Sequence, residues 1–353
     1  MSEHQTIDHR KWNGASSDEL GYTGDSLHTS LLHRHTNQSG QQFNVLNIDA
    51  RRDGVGSTIL ASTPLDHRIT PFFTLRAAIF ARQMGVQFIV SEVPGVTIDP
   101  ENPLRTKGAF QTPNQALSAF MGNYEPIAKA QLQAIDAEVG LEDGQEVELF
   151  GESLGTDYVV GMAQAIAHHS FEKRLKISKM HLFEPVNSFG NYRVDRIIGI
   201  LRKLTTIEAK RAPLYIAENE AIGHRNAKPF EQESEENEKI DKLLKTRQFL
   251  AAYFAGAGIR KGLHGAILDA MRDHSADGSG LHEAEIITSL AVHSSVSHEK
   301  DSSQLTDAIN EAGGRAKLVL LEAGEGDQTP LGHGVLNSIG RLAEFAIGHA
   351  RMV

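Results

Sequence analysis

The chain contains no cysteine, which excludes disulfides, thiolate nucleophiles and cysteine-based zinc sites at the outset. Nor does it have a long apolar run. Nothing approaches the roughly 18 consecutive apolar residues of a membrane-spanning helix, and the N-terminal string MSEHQTIDHRKWNGASSDELGYTG lacks the apolar centre of a secretory signal. A cytoplasmic protein without a membrane span is expected. Positive charge is in deficit, with 35 Lys and Arg against 45 Asp and Glu, and no basic cluster is interleaved with aromatics. No nucleic-acid partner is expected of such a surface. Internal repeats and low-complexity tracts are also missing. What remains is 353 residues at 40% hydrophobic and 23% charged, enough for one large globular domain with an insertion.

The patterning divides the chain. Residues 1–25 are polar and form a tail. Strands are expected over 27–35, 43–50 and 57–62, a helix over 71–84 and a buried strand over 86–90. A helix over 126–139 has Pro126 in its first turn and Gly140 past its end. A strand over 147–150, a helix to about 169 and a strand over 180–183 follow. Over 186–283 the pattern turns mostly helical, and its charged run at 231–248 reads as a solvated helix face carrying i,i+4 pairs. Alternation resumes with strands at 286–292 and 317–321, a helix at 304–312 and a last helix at 336–349. Such alternation predicts an α/β fold with a doubly wound, mostly parallel sheet. Its core is 26–185 and 284–353, with 186–283 as a helical cap over the carboxyl edge of the strands, where such folds bind ligands.

The most informative string is Gly151-Glu152-Ser153-Leu154-Gly155. Val147, Leu149 and Phe150 build a strand before it. Tyr158, Val159, Met162, Ala163 and Ile166 fall on one side of the helix after it. In that context Gly-x-Ser-x-Gly is a nucleophile elbow, a sharp turn that leaves the middle hydroxyl projecting above the sheet edge. Ser153 is the candidate nucleophile. A serine hydroxyl needs a base, and the chain offers 17 histidines. His333 is selected by position: it follows the last strand and precedes the last helix, which puts it at the same sheet edge as Ser153.

Together STILASTP, VQFIVSEVPG, ELFGESLGTD and LGHGVLNSIGRLAEF resemble the α/β-hydrolase superfamily over nearly the whole chain outside the tail and cap. The resemblance implies an oxyanion hole from the backbone N–H of Leu154 and from that of Thr63, within Ala61-Ser62-Thr63-Pro64; Pro64 has no N–H. Relatives carry His-Gly-x-Pro there. It also implies an acid after the penultimate strand, but His293-Ser294-Ser295-Val296-Ser297 has no carboxylate. Two places are left open, with Glu184 slightly ahead: Glu184 at the end of the strand after the elbow helix, where some relatives carry their acid, and Asp301, or less so Glu299, later in the loop.

Other features carry less. Glu152 is expected to point into the site or to cap the elbow helix. The pairs His33/His35 and His168/His169 have no matched carboxylates and read as surface histidines. Gly256 and Gly258 follow an apolar helix, which is the wrong context for a dinucleotide loop. The expected activity is hydrolysis of an ester or related acyl bond in a small molecule, with neither metal nor organic cofactor. The alternatives are an acyltransferase on the same residues and a non-catalytic binding or structural protein on this scaffold. A serine at the elbow argues against dehalogenase and epoxide hydrolase chemistry, which in this superfamily relies on an aspartate nucleophile.

Overall fold

The computed structural model describes residues 31–64, 69, 71–93, 112–186, 188, 199, 202–203, 206–207, 209–221, 262–272, 281–321, 332–333, 335–337, 341–342 and 345. The tail expected over 1–25, the charged run at 231–248, Gly256 and Gly258, and most of the last helix lie outside the described residues.

Eight strands form one sheet: β1 (Leu32–Thr36), β2 (Gln42–Asp49), β3 (Thr58–Ser62), β4 (Gln87–Ser91), β5 (Glu146–Glu152), β6 (Lys176–Phe183), β7 (Glu285–Ala291) and β8 (Arg315–Leu321). Their spatial order is β1-β2-β4-β3-β5-β6-β7-β8. β2 runs antiparallel to both neighbours, and every pair from β4 to β8 is parallel.

The helices are α1 (Pro71–Met84), α2 (Pro113–Phe120), α3 (Glu125–Val139), α4 (Gly155–Ala167), α5 (Ala209–Ala221), α6 (Gly262–Arg272) and α7 (Glu299–Glu311). α2 was not expected. It starts with a capping box in which the Thr112 hydroxyl accepts the Gln115 N–H and the Gln115 side chain accepts the Thr112 N–H. None of the described helices is long and apolar enough to cross a membrane.

Strand alternation sorts the core into two layers. Val45, Leu60, Ile89, Leu149 and Leu182 point to one face and join α3, α4, α6 and α7 in one apolar cluster. Leu46, Ala61, Val90, Phe150 and Phe183 point to the other and join α1 and the C-terminal residues Leu336, Leu342 and Phe345. Each fully buried Leu, Ile or Phe contributes about 1.5–3 kcal/mol. Both faces are covered, which is why the central strands read as unbroken apolar runs.

Leu263, Ile267, Ala270 and Met271 of α6, within the segment 186–283, are buried in the same apolar cluster as α4.

Candidate active site

The turn at Ser153 is set by space. Ser153 lies between the end of β5 and the start of α4 with φ +55°, a left-handed conformation that costs a non-glycine residue about 1–2 kcal/mol. Its N–H donates to the Phe183 carbonyl at 2.9 Å. A Cβ on Gly151 would sit 2.6 Å from Thr156 Cα, and one on Gly155 would sit 2.7 Å from the Ser62 carbonyl oxygen. The flanking glycines are therefore required by backbone approaching backbone, α4 against β5 and β3.

Register brings the next residue in. Glu152 of β5 pairs with Phe183 of β6, and Phe183 with Ser289 of β7. Ser153 and Glu184 are thus the first residues past the ends of adjacent parallel strands. Glu184 also has a positive φ, 51°, and its N–H donates to the Ser289 carbonyl at 2.9 Å. His333 stands over both. Its Nε2 lies 2.8 Å from Ser153 Oγ and its Nδ1 lies 3.1 Å from Glu184 Oε2. A carboxylate only accepts, so Nδ1 carries the proton and Nε2 is free to accept from the serine hydroxyl.

The Glu184 side chain has no exposed surface, and its oxygens are filled by donors. Oε1 accepts the Ala291 N–H at 2.5 Å, and Oε2 accepts the Ser294 hydroxyl at 2.5 Å as well as His333. A buried carboxylate needs such partners. Asp301, the other acid considered, sits in the first turn of α7, where its N–H donates to the His298 carbonyl at 3.0 Å. Glu299 opens the same helix and is exposed.

Leu154 is the N-cap of α4, and N–H groups at that end have no intrahelical acceptor by position. Thr63 follows β3 and is fully buried, with its N–H 3.4 Å from the Ser91 carbonyl oxygen, a long extension of the β3–β4 ladder. Gln131 of α3 fastens the same place. Its Nε2 lies 3.0 Å from Ser62 Oγ, 3.2 Å from the Ser91 oxygen and 3.2 Å from the Glu92 oxygen. The Glu92 carboxylate accepts the Ile69 N–H at 2.6 Å and the Asn44 amide at 2.9 Å, tying the loop after β3 to β4 and β2.

Glu152 points to the α1 face, where Arg76 meets it at 2.7 Å. Beside this pair a cavity of about 30 Å³ is lined by Phe73, Phe80, Phe88, Phe150, Leu336 and Leu342, room for about one or two waters. The Gly332 N–H, next to His333, donates to the Tyr215 hydroxyl of α5 at 3.2 Å. Arg341 and Glu218 of α5 join in a two-pronged pair at 3.0 and 2.7 Å.

Asp157, in the first turn of α4, is 3% exposed and its Oδ2 has no hydrogen-bond partner among the described residues. Burial pushes its carboxyl up to about 8, beside the rings of Tyr124 and Tyr158. His168 meets Glu125 at 2.9 Å and His33 meets Glu138 at 3.2 Å. Among the described residues no group of three or more potential ligands could hold a metal ion.

Arg76, Gln131, Glu92, Ser294 and Tyr215 escaped the sequence reading. Their partners lie far off in the chain, and no local spacing marks them.

No family model matches the sequence, and no curated protein matches it. Solved structures do. The thioesterase domain from the curacin biosynthetic pathway is 14% identical, matches 90% of this chain and 99% of its own, and has a TM-score of 0.50. A thermophilic esterase from Thermogutta terrifontis is 12% identical over 91% of this chain and 97% of its own, at 0.48. A hydrolase from Oleispira antarctica is 13% identical over 94% and 98%, at 0.47. The chain has the α/β-hydrolase fold. At such identities likeness reaches the fold alone, and activity has to be argued from the site.

Proposed function

We propose that this protein is a serine hydrolase that cleaves a carboxylic ester, or a related acyl bond, of a small molecule through an acyl-enzyme on Ser153. One observation carries the reading: an unbroken hydrogen-bonded line from Ser153 Oγ through His333 to Glu184, at 2.8 and 3.1 Å.

His333 Nε2 takes the hydroxyl proton as Ser153 Oγ attacks the carbonyl carbon. The imidazolium that forms is stabilised by Glu184, which also holds the tautomer. The tetrahedral oxyanion rests on the Leu154 N–H at the positive end of α4, joined by the Thr63 N–H as it gives up its long contact with Ser91. His333 then returns the proton to the leaving alcohol. Water enters and attacks the acyl carbon as the same Nε2 takes one of its protons, and that proton passes to Ser153 Oγ as the acyl bond breaks and the acid leaves. In this reading the residues between β6 and α6 form the cap, with α5 as its described part, and Tyr215 links cap to histidine loop. The buried carboxylate on the imidazole favours hydrolysis over a disarmed binding scaffold.

The test is hydrolysis of p-nitrophenyl esters of rising chain length by wild type and Ser153→Ala. The expected outcome is turnover by wild type and a fall of roughly four to six orders of magnitude in the variant. Folded wild type that turns over no ester and resists a fluorophosphonate would sink the proposal.

A further inference from the structure

The loop after β7 carries no carboxylate where relatives place their acid, yet it reaches the site. Ser294 Oγ lies 2.5 Å from Glu184 Oε2, the same oxygen that meets His333 Nδ1 at 3.1 Å. The direction of this hydroxyl is fixed from its other side. Its oxygen accepts the Ser297 N–H at 3.1 Å and the Val296 N–H at 3.4 Å, so its hydrogen goes to the carboxylate, which has none to give. The turn is itself anchored. Ser294 donates its N–H to the Ala291 carbonyl at 2.9 Å, and the Ser297 hydroxyl donates to the Pro185 carbonyl at 2.9 Å. With Ala291 N–H on Glu184 Oε1, these bonds stitch the loop after β7 to the end of β6.

We propose that Ser294 is a positioning residue of this site, holding the Glu184 carboxylate in the rotamer that presents Oε2 to His333; this rests on the reading of Ser153, His333 and Glu184 as the reacting set. A glutamate has one more rotatable bond than the aspartate usual in such triads, and that freedom has to be removed if the carboxylate is to stay on the imidazole. The Ser294 hydroxyl and the Ala291 N–H take one oxygen each and remove it. Position 294 is also a second seat for an acid. Two backbone N–H groups already converge on its side-chain oxygen, the arrangement of an Asx turn, so an aspartate there keeps the turn and turns its carboxylate toward the space that Glu184 occupies.

Four variants of the full chain test this: Ser294→Ala, Ser294→Thr, Glu184→Ala, and Glu184→Ala combined with Ser294→Asp. Ser294→Ala is expected to lower kcat about tenfold with KM little changed, the size of one hydrogen bond to a charged group. Ser294→Thr keeps the hydroxyl and is expected to keep kcat. The double variant is expected to recover at least about tenfold over Glu184→Ala, a rescue that mere packing at 294 would not produce. Wild-type kcat in Ser294→Ala, equal losses in the Ala and Thr variants, or no recovery in the double variant overturns the proposal. Proton NMR of the imidazole Nδ1–H reads the same arrangement without turnover. Its low-field signal is expected in wild type and Ser294→Thr and broadened by exchange in Ser294→Ala; an identical signal in all three also overturns it. Wild type that hydrolyses no ester yet shows this pattern would sink the hydrolase reading and leave the positioning role standing.

Discussion

Arg76 donates to Glu152 across the α1 face of the sheet at 2.7 Å, with side-chain exposures of 6% and 7%. The pair joins α1 to the residue immediately before Ser153, so the elbow is held from below as well as by its glycines. Arg76→Met should take this guanidinium away from a buried carboxylate and cost about 3–5 kcal/mol. Adding Glu152→Leu should return most of that, because two apolar side chains of similar volume need no pairing. Urea unfolding reads both. A single variant as stable as the double would show that the pair is not what holds this face.

Gly155→Ala should damage the site through the backbone. The added methyl meets the Ser62 carbonyl oxygen at 2.7 Å and the Thr63 carbonyl oxygen at 3.2 Å, which pushes α4 away from β3 and spreads the two implied oxyanion donors apart. We expect a loss of about 1–3 kcal/mol in stability from overpacking and a drop in kcat with KM less affected. Unfolding curves and ester kinetics on the same preparation check it, and unchanged kcat would mean that the donors do not depend on this approach.

The two candidate acids are separable by single substitutions. Glu184→Gln keeps the shape and removes the charge, and kcat should fall by roughly four orders of magnitude. Asp301→Asn acts at the first turn of α7 and should register in thermal stability, with a loss of a few tenths to about 1 kcal/mol of helix-end electrostatics. Large kcat effects in the Asp301 variant with small ones in Glu184→Gln would reverse the assignment.

Asp157 gives the protein a pH-dependent term with a defined sign. Its carboxyl is raised by burial from 3.8 to about 8, so the folded state holds this proton across a window where the unfolded chain has lost it. Stability from this group is therefore highest at low pH, declines as pH rises from about 4 to about 8, and is flat above. The steepest slope is roughly 1.4 kcal/mol per pH unit. Asp157→Asn should remove that slope and gain most over wild type at pH 8 and above. Unfolding free energies measured across this window in both proteins decide it; parallel curves would mean that Asp157 is solvated or paired.

Much of the architecture is legible in the sequence. Pro71–Met84 and Glu125–Val139 were bounded closely by their periodicity, Pro126 and Gly140, and the central strands by runs of apolar residues. The approach of Ser153 to His333, at 2.8 Å, has a local signal on each side: the Gly-x-Ser-x-Gly string packs its requirements into five consecutive residues, and chain order sets His333 near the same sheet edge. α2 was missed although TPNQ at 112–115 spells a capping box, since a short helix has little periodicity to announce it. The burial of α6 against α4 has no local signal either, because a helix packed on the sheet and a helix over its edge carry the same pattern.

The sequence by itself therefore determined most of the elements, their mostly parallel sheet and the turn that holds Ser153, all of which depend on neighbours a few residues apart or on the order of segments. Only the tertiary structure decided which carboxylate meets the imidazole, what holds it there, and what supports the serine from below. Glu184 and Ser294 are 110 residues apart and Arg76 and Glu152 are 76 apart; such pairs are made by strand register and helix packing, which place side chains across the sheet and leave no trace in local spacing.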